Sequence, residues 1–446
     1  MKILIDVESA ACAPTKDTIV KTSCWNDVIE IDDGSVVVFN TFHHTAVLLS
    51  SEEYNEILDG EHKWKLYSLG ILVDENIDER QIWNDIYLKA KYDMSYIDIT
   101  VVLTEKCQFG CIYCYEGLEK SSRVIRDKTI EGIKEFVISH TKELKRLRLT
   151  WFGGEPLLAY NKICQISRII IPYCKTHSIE FRSDITTNGY ALTQERIREM
   201  VYDLHVTNYI ITIDGPENTH NHRRPLRSGN GTFRKIWHNI KLLVEQNVFV
   251  LVRITIDSRN VNDAPRLIDL IKEEGLAGRV ELAFCRTIDF AHTPIETMPY
   301  IYSEEEFSDI EWHLMEYAHS QGVYRYHFPY AAPRGGCLRD GDVVIGTGGE
   351  IYKCLDTVGQ KRWISGNISL KDNTEKIEWL SKWRSWTPDN MKDCRECVLQ
   401  PLCNGGCPHN ALFEDKKHGT LLQCPDWKAN YKRQIRALVN EYEQTI

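Results

Sequence analysis

Residues 103–117 read LTEKCQFGCIYCYEG, with three cysteines, Cys107, Cys111 and Cys114, at intervals of four and three residues on one short loop. A structural zinc site takes four ligands and usually brings them as two separated pairs. A ferredoxin-type cluster is also held by four cysteines. Three thiolates on a four-iron cube leave one iron without a protein ligand. What fills that place is the question the loop poses.

The flanking sequence supplies a context. From residue 97 onward, apolar β-branched runs recur at YIDITVVL, RLRLTWF, SIEFRSDIT, NYIITID, FVLVRITID and RVELAFC. Amphipathic helical patterns separate them: 127–144 with Ile130, Ile133 and Val137 on one face, and 232–246 with Phe233, Ile236, Ile240 and Leu243. A third, near 262–274, has Asn262 and Asp263 as cap candidates, Pro265 in its first turn and Gly275 as its stop. Six strand-then-helix units predict an α/β fold built on a parallel sheet, a partial (β/α)6 barrel open on one side. Chemistry in such sheets collects at the C-terminal strand ends, and the three-cysteine loop directly follows the first strand. TWFGGEP, ITTNG and ITIDGP end the next three strands, so four neighbouring ends read as one small-molecule site.

Composition narrows the class. The chain has 446 residues, 43% hydrophobic and 26% charged, with a net charge of −10. That balance suits a globular protein of several units and argues against non-specific nucleic-acid binding. The one arginine-rich stretch, HNHRRPLRSGNG, reads equally as a solvated loop or an anion-binding loop. No run approaches the ~20 apolar residues that span a bilayer, and the N-terminus lacks a signal-peptide core. A cytoplasmic protein is expected. Ten of the 15 cysteines fall in three tight groups, which in a reducing compartment points to metal or redox chemistry. Cys12, Cys24, Cys164, Cys174 and Cys285 are scattered, as small core residues are.

With these residues in view, the chain resembles the radical S-adenosylmethionine (SAM) superfamily, whose hallmark is this cysteine trio with an aromatic, here Tyr113, before the last member. The resemblance implies that SAM chelates the fourth iron of a [4Fe-4S] cluster held by Cys107, Cys111 and Cys114. It further implies that Gly153, Gly154 and Glu155 hold the methionyl amino group through backbone carbonyls. Asn188 and Thr212 would lie near the ribose, Tyr113 near the adenine, and Arg253 is a candidate for the carboxylate.

The remaining cysteines extend the likeness. Cys337, Gly349 and Cys354 are followed by Cys394, Cys397, Cys403, Cys407 and Cys424 in the seven-cysteine order of the SPASM extension of peptide- and protein-modifying members. By that pattern, Cys394, Cys397, Cys403 and Cys424 enclose an outer auxiliary [4Fe-4S] cluster, while Cys337, Cys354 and Cys407 hold an inner one, making three clusters in all. Sulfatase-maturing members complete the inner cluster with an eighth cysteine. Here LRDGDVVIG follows Cys337 and contains none, so a substrate thiolate, Cys285, or an oxygen or nitrogen ligand is expected on the open iron. Those members also carry a catalytic aspartate directly after the residue equivalent to Cys354. This chain has Asp356 one position later, with a solvated loop carboxylate the plainer expectation.

The implied organisation is an N-terminal peptide-recognition module at 1–93, similar to leader-binding (RRE-type) modules, and the barrel at 94–300. A bridging segment at 301–334, the auxiliary cluster region at 335–425 and a closing helix at 426–446 follow. In the first unit, GSVVVFN and TAVLLS predict a hairpin, and SEEYNEIL and HKWKLYSLG predict two short helices. Such a module can offer a sheet edge to a peptide. The implied activity is peptide maturation: hydrogen abstraction from a ribosomally made precursor with a leader, then an intramolecular crosslink, foremost a cysteine thioether as in sactipeptide and ranthipeptide maturases. The implied electron source is flavodoxin or ferredoxin. Carbon–carbon crosslinking, formylglycine formation on a sulfatase, and a non-catalytic metal-stabilised adaptor are the alternatives.

Overall fold

In the computed structural model, residues 1–6, 18–117, 121–289, 293–330, 337–370, 377–413 and 424–444 are described below. Cys12 lies outside them. Strands β1 (Lys2–Ile5), β2 (Val20–Thr22), β3 (Asn26–Glu30), β4 (Val36–Asn40) and β5 (Thr45–Leu49) open the chain. Helices α1 (Ser51–Asn55) and α2 (Lys63–Ser68), strand β6 (Leu72–Asp74) and helix α3 (Glu79–Lys91) follow. An antiparallel sheet runs β1-β5-β4-β3, and β2 pairs separately with β6. The expected hairpin is β4–β5, with Val36 opposite Leu49. Gly34, at φ +86°, makes the tight turn from β3 into β4. Ser50 and Glu53 cap α1 reciprocally.

This sheet is larger than the expected hairpin, and it is covered on both faces. Val36, Val38, Val47 and Leu49 pack on Ile57, Leu66 and Leu69 beside α1 and α2. The opposite face, with Ile29, Val37, Phe39 and Leu48, packs on Leu399, Leu402, Tyr431, Ile435 and Val439, over 350 residues further along. Polar contacts accompany that face: Tyr431 and Lys432 donate to Asp27 at 2.6 and 2.9 Å, and Arg436 Nε donates to the Glu30 carbonyl at 3.0 Å.

The six β-branched runs form β7 (Tyr96–Thr104), β8 (Arg146–Gly153), β9 (Glu180–Thr187), β10 (Val206–Thr212), β11 (Phe249–Ile256) and β12 (Glu281–Arg286). All five successive pairings are parallel. Helices α4 (Asp127–His140), α5 (Tyr160–Thr176), α6 (Gln194–Tyr202), α7 (Glu217–Arg223), α8 (Phe233–Val244) and α9 (Ala264–Glu273) connect them. The bridging segment contains α10 (Glu304–Ser320). Along β11, Val250, Val252, Ile254 and Ile256 are buried in the core, while Leu251, Arg253 and Thr255 alternate to the lumen side. The helix expected from 262 starts at Ala264. Asp263 occupies its N-cap position without a side-chain cap bond and instead accepts from Thr219 Oγ1 at 2.6 Å. Pro265 does sit in the first turn, and Gly275, at φ +69°, follows the last.

The sheet does not stop at β7. Strand β13 (Val343–Ile345) pairs parallel with it, and β14 (Glu350–Tyr352) and β15 (Gly366–Asn367) continue antiparallel, giving nine strands in the order β12-β11-β10-β9-β8-β7-β13-β14-β15. Short helices α11 (Glu378–Ser385), α12 (Lys392–Arg395), α13 (Gln400–Cys403) and α14 (Pro408–Leu412) follow, then α15 (Tyr431–Gln444). Trp363, Trp379, Trp383, His409 and Phe413 form an aromatic cluster there. No helix among the described residues is long and apolar enough to cross a membrane.

A polar floor closes the barrel at the strand starts. Arg148 bridges Asp98 and Asp184, and Asn208 donates to Asp184 at 2.8 Å. Below β13, Asp342 is 1% exposed and accepts from the Asp98 amide at 2.8 Å. Burial and the Asp98 charge, against Arg339 and Lys353, push its carboxyl up to about 7. A raised folded-state pKa means that stability falls as pH climbs from about 4, where the unfolded carboxyl ionises, through 7. Asp342→Asn keeps an acceptor for the Asp98 amide and removes the charge that opposes Asp98. Its denaturation midpoint should exceed that of the wild type at pH 8, by on the order of 2 kcal/mol, and match it near pH 4. A wild-type advantage at pH 8 would contradict this assignment.

Candidate active site at the barrel mouth

β7 delivers the chain directly into the cysteine loop, and two neighbouring segments clamp it. The first is the Gly153-Gly154-Glu155 turn: Gly154 N donates to Thr104 O and Glu155 N to Lys106 O, both at 2.9 Å. A Cβ on Gly153 (φ +140°) would stand 2.2 Å from Thr104 O, and one on Gly154 would stand 2.6 Å from Glu105 O. The glycines are therefore required by the backbone that leads to Cys107. The second clamp is 223–227: Gly110 N donates to Pro225 O, Ile112 N to Arg223 O and Arg227 N to Gln108 O, at 2.9, 3.1 and 2.8 Å.

That second clamp carries the positive charge of the site. Arg224 Nη1 donates to the Tyr113 hydroxyl at 2.7 Å, and the Cys111 charge acts on the same guanidinium. The Tyr113 hydroxyl in turn donates to Asp214 Oδ2 at 2.5 Å, and burial raises its pKa well above the ordinary value. Arg223, 1% exposed, bonds Asp257 at 2.8 Å, approaches Asp214 at 3.4 Å, and lies over the Tyr113 ring at 4.8 Å. Burial alone would raise the Asp257 carboxyl, but the Arg259 and Arg223 guanidiniums outweigh it and hold the group below its usual range. The arginine-rich stretch is thus not a solvated loop at these two positions, and the buried guanidinium of Arg223 meets carboxylates of the chain itself. Both arginines lie behind the cysteine loop, and Asp214 and Asp257 follow β10 and β11.

Other expected residues ring the same mouth. Glu155 is fully buried, its carboxylate accepting from Leu157 N, Thr187 Oγ1 and Asn188 N at 2.9, 2.7 and 2.7 Å, which leaves only its backbone for a ligand. Asn188 Nδ2 lies 4.0 Å from Cys107 Sγ. Thr212 ends β10 in register with Arg253 on β11, whose Nε is buried without a hydrogen-bond partner. Tyr115, one residue past the trio, is influenced by Cys114 and Arg253 and also by Asp356 of the cysteine-rich region.

The other seven cysteines separate into four and three. Burial first, then Cys403, Cys424 and Cys397, push the Cys394 thiol up to about 11, and Lys428 Nζ donates to Cys424 Sγ at 3.5 Å. Cys337, Cys354 and Cys407 stand together instead, with Asp356 beside them. Asp356 is half-buried, which corrects the expectation of a solvated loop carboxylate, and its Oδ2 accepts from the Cys354 thiol at 3.9 Å. Cys285 belongs elsewhere: after burial, its surroundings are Arg253, Asp426, Glu311 and Asp214. Sequence reasoning missed Arg223, Arg224, Tyr115 and Lys428 as parts of these sites, while the ITIDGP strand end points to Asp214. The arginine-rich stretch was the available signal for the first two.

Comparison with known proteins adds the family and the fold. Residues 101–271 match the family described as the radical SAM superfamily. Residues 101–271 are a radical SAM domain, and the chain is an enzyme similar to radical SAM maturases. It is 24% identical to the radical SAM cyclopropyl synthase TigE of Paramaledivibacter caminithermalis, over 78% of this chain and 75% of that one. It is 25% identical to the serine-type anaerobic sulfatase-maturating enzyme of Bacteroides thetaiotaomicron, over 68% and 80%. Among solved structures, anSMEcpe with bound AdoMet shares the fold at a TM-score of 0.58 and 18% identity, covering 77% of this chain and 95% of that one. Streptococcus suis SuiB does so at 0.51 and 12%, covering 91% and 100%. The family uses a [4Fe-4S] cluster and SAM, and the residues present fit both: three thiols on one loop, a buried guanidinium behind them and an unpartnered Arg253 Nε in the lumen.

Proposed function

We propose that this enzyme matures a ribosomally made precursor peptide by forming an intramolecular crosslink, foremost a cysteine thioether. The observation that carries this reading is the four-and-three division of the C-terminal cysteines. The three-membered group reaches Tyr115 and Cys114 of the barrel through Asp356. An inner cluster short of one thiolate, beside the SAM site, suits capture of a substrate thiol. A sulfatase-maturating relative, which acts on a polypeptide, supports the substrate class.

In this proposal Cys107, Cys111 and Cys114 hold the SAM-binding cluster. Gly153, Gly154 and Glu155 offer backbone carbonyls to the SAM amino group, Asn188 and Thr212 face its ribose, Tyr113 its adenine and Arg253 its carboxylate. Cys394, Cys397, Cys403 and Cys424 hold the outer auxiliary cluster, and Cys337, Cys354 and Cys407 the inner one. Together SAM and its cluster supply a hydrogen-abstracting 5′-deoxyadenosyl radical. The chain's part is to hold the peptide carbon in the lumen, to keep water away with the apolar barrel wall, and to take the thiol proton at Asp356. Residues 1–93 recognise the leader. A cluster held by the outer group would offer surplus electrons a way out, and a flavodoxin or ferredoxin would be the source of the first.

The sulfatase reading has in its favour the position of Asp356 beside Cys354 and the similarity to sulfatase-maturating enzymes. It lacks the eighth cysteine. Co-expression with a cysteine-bearing peptide encoded near the gene tests the proposal. Loss of two hydrogens with the thiol closed to alkylation is expected. The same loss with every thiol free transfers the assignment to carbon–carbon crosslinking. A chain that never yields 5′-deoxyadenosine is an adaptor.

A further inference from the structure

We infer that the Asp356 carboxylate closes the inner auxiliary cluster as its non-cysteine ligand and gives way to the thiol of the substrate. This rests on the reading of Cys337, Cys354 and Cys407 as cluster ligands. Among the described residues no fourth cysteine joins them. Cys285 stands with Arg253 and Asp426, Cys24 with Glu79, Cys164 with Glu199, and Cys174 in α5.

Local geometry aims Asp356 at the gap. A single 3-10 turn, Leu355–Thr357, follows Cys354 at once, closed by Thr357 N and Oγ1 donating to Cys354 O at 3.2 and 2.7 Å. The turn swings the Asp356 side chain back over its own cysteine, leaving Oδ2 3.9 Å from Cys354 Sγ. Cys337 and Cys407 both lie within reach of its charge. No arginine or lysine forms an ion pair with it among the described residues; the ionisable neighbour is His409. The same carboxylate acts on Tyr115, which also neighbours Cys114 and Arg253. The carboxylate therefore neighbours both the three thiols and Tyr115 of the barrel.

Chemistry makes such a ligand replaceable. Carboxylate oxygen is a hard donor, and iron–sulfur centres favour soft thiolate. When a substrate cysteine enters, its S–H bond breaks and its sulfur takes the iron position. The iron–oxygen bond to Asp356 breaks, and the released carboxylate accepts the thiol proton. No electron moves in the exchange. One residue thus seals the cluster against loss of iron while empty and receives the proton when the substrate arrives.

The test uses the full chain, reconstituted anaerobically with 57Fe and read by iron content, Mössbauer and EPR spectroscopy, with 2-mercaptoethanol as the probe thiol. Wild-type protein should show a shift of the reduced inner-cluster signal on addition of the probe. Asp356→Ala should lose about one iron per chain and show a three-iron signal. Asp356→Cys should keep its iron and ignore the probe. Should Asp356→Ala misfold, the Asp356→Cys response decides alone. An unchanged iron count and spectrum in Asp356→Ala overturns the inference, as does the same loss of iron from His409→Ala instead. Wild-type protein without any inner-cluster signal overturns the underlying cluster reading, an outcome distinct from both.

Discussion

Gly153→Ala should lower the rate of 5′-deoxyadenosine formation by about 100-fold or more, because the reacting groups tolerate a misplacement of only about 1 Å. The added methyl would meet Thr104 O at 2.2 Å, with the backbone at φ +140°. That oxygen is also the acceptor for Gly154 N, so it cannot withdraw without breaking the turn. Relief requires β7 to shift, and with it the residues that lead into Cys107. The overpacking itself costs about 1–3 kcal/mol, which the fold as a whole can absorb. The distinguishing result is therefore a folded protein, by denaturation midpoint, that binds iron poorly at the trio or binds it and turns over slowly. A Gly153→Ala enzyme with wild-type turnover would show that the GGE turn does not set the loop.

Arg223→Met should be the most damaging single change to stability outside the cysteines. The substitution retains volume but deletes the guanidinium that stands between Asp214 and Asp257, both 0% exposed. Arg259 still neutralises Asp257, so Asp214 bears most of the loss. Removing one partner of such a buried pair costs about 3–5 kcal/mol, because the carboxylate left behind is out of water and has lost the guanidinium beside it. Asp214 keeps the Tyr113 hydroxyl and the Thr255 amide as donors, at 2.5 and 3.1 Å, but loses the guanidinium beside it. Urea denaturation of the apoprotein reads the stability, and cluster absorbance after reconstitution reads the site. A loss under 1 kcal/mol would mean that Asp214 finds another partner.

The legible parts of this molecule were those written in rare or periodic residues. The six strand runs announce the sheet because each is β-branched, bounded by turns and followed by a helical face. The cysteine groups announce themselves because thiols at fixed short spacings are costly to retain for any other purpose. What stayed hidden depends on partners distant in sequence. Asn26–Glu30 is a strand only because β4 lies on one side of it and the Tyr431 helix packs over it. No local pattern marks it. Arg223 and Arg224 look like a solvated patch by composition, and only the carboxylates at the ends of β10 and β11 make that position a buried one. The reading of Gly153 and Gly154 found the right residues for an incomplete reason, since the close neighbour is the chain's own backbone. Asp263 shows the reverse, a residue with capping chemistry drawn away by Thr219.

The shared core of the first sheet and α15 has a consequence for biosynthesis. Ile29, Val37, Phe39 and Leu48 leave the ribosome long before Leu402, Ile435 and Val439 exist to cover them. The apolar face of that sheet must wait, exposed, while the barrel assembles, and contacts of such sequence separation form late. Production of this enzyme is therefore expected to depend on chaperone holding of its earliest segment. Stalling translation before residue 430 should leave a chain whose barrel is protease-resistant and whose opening sheet is not.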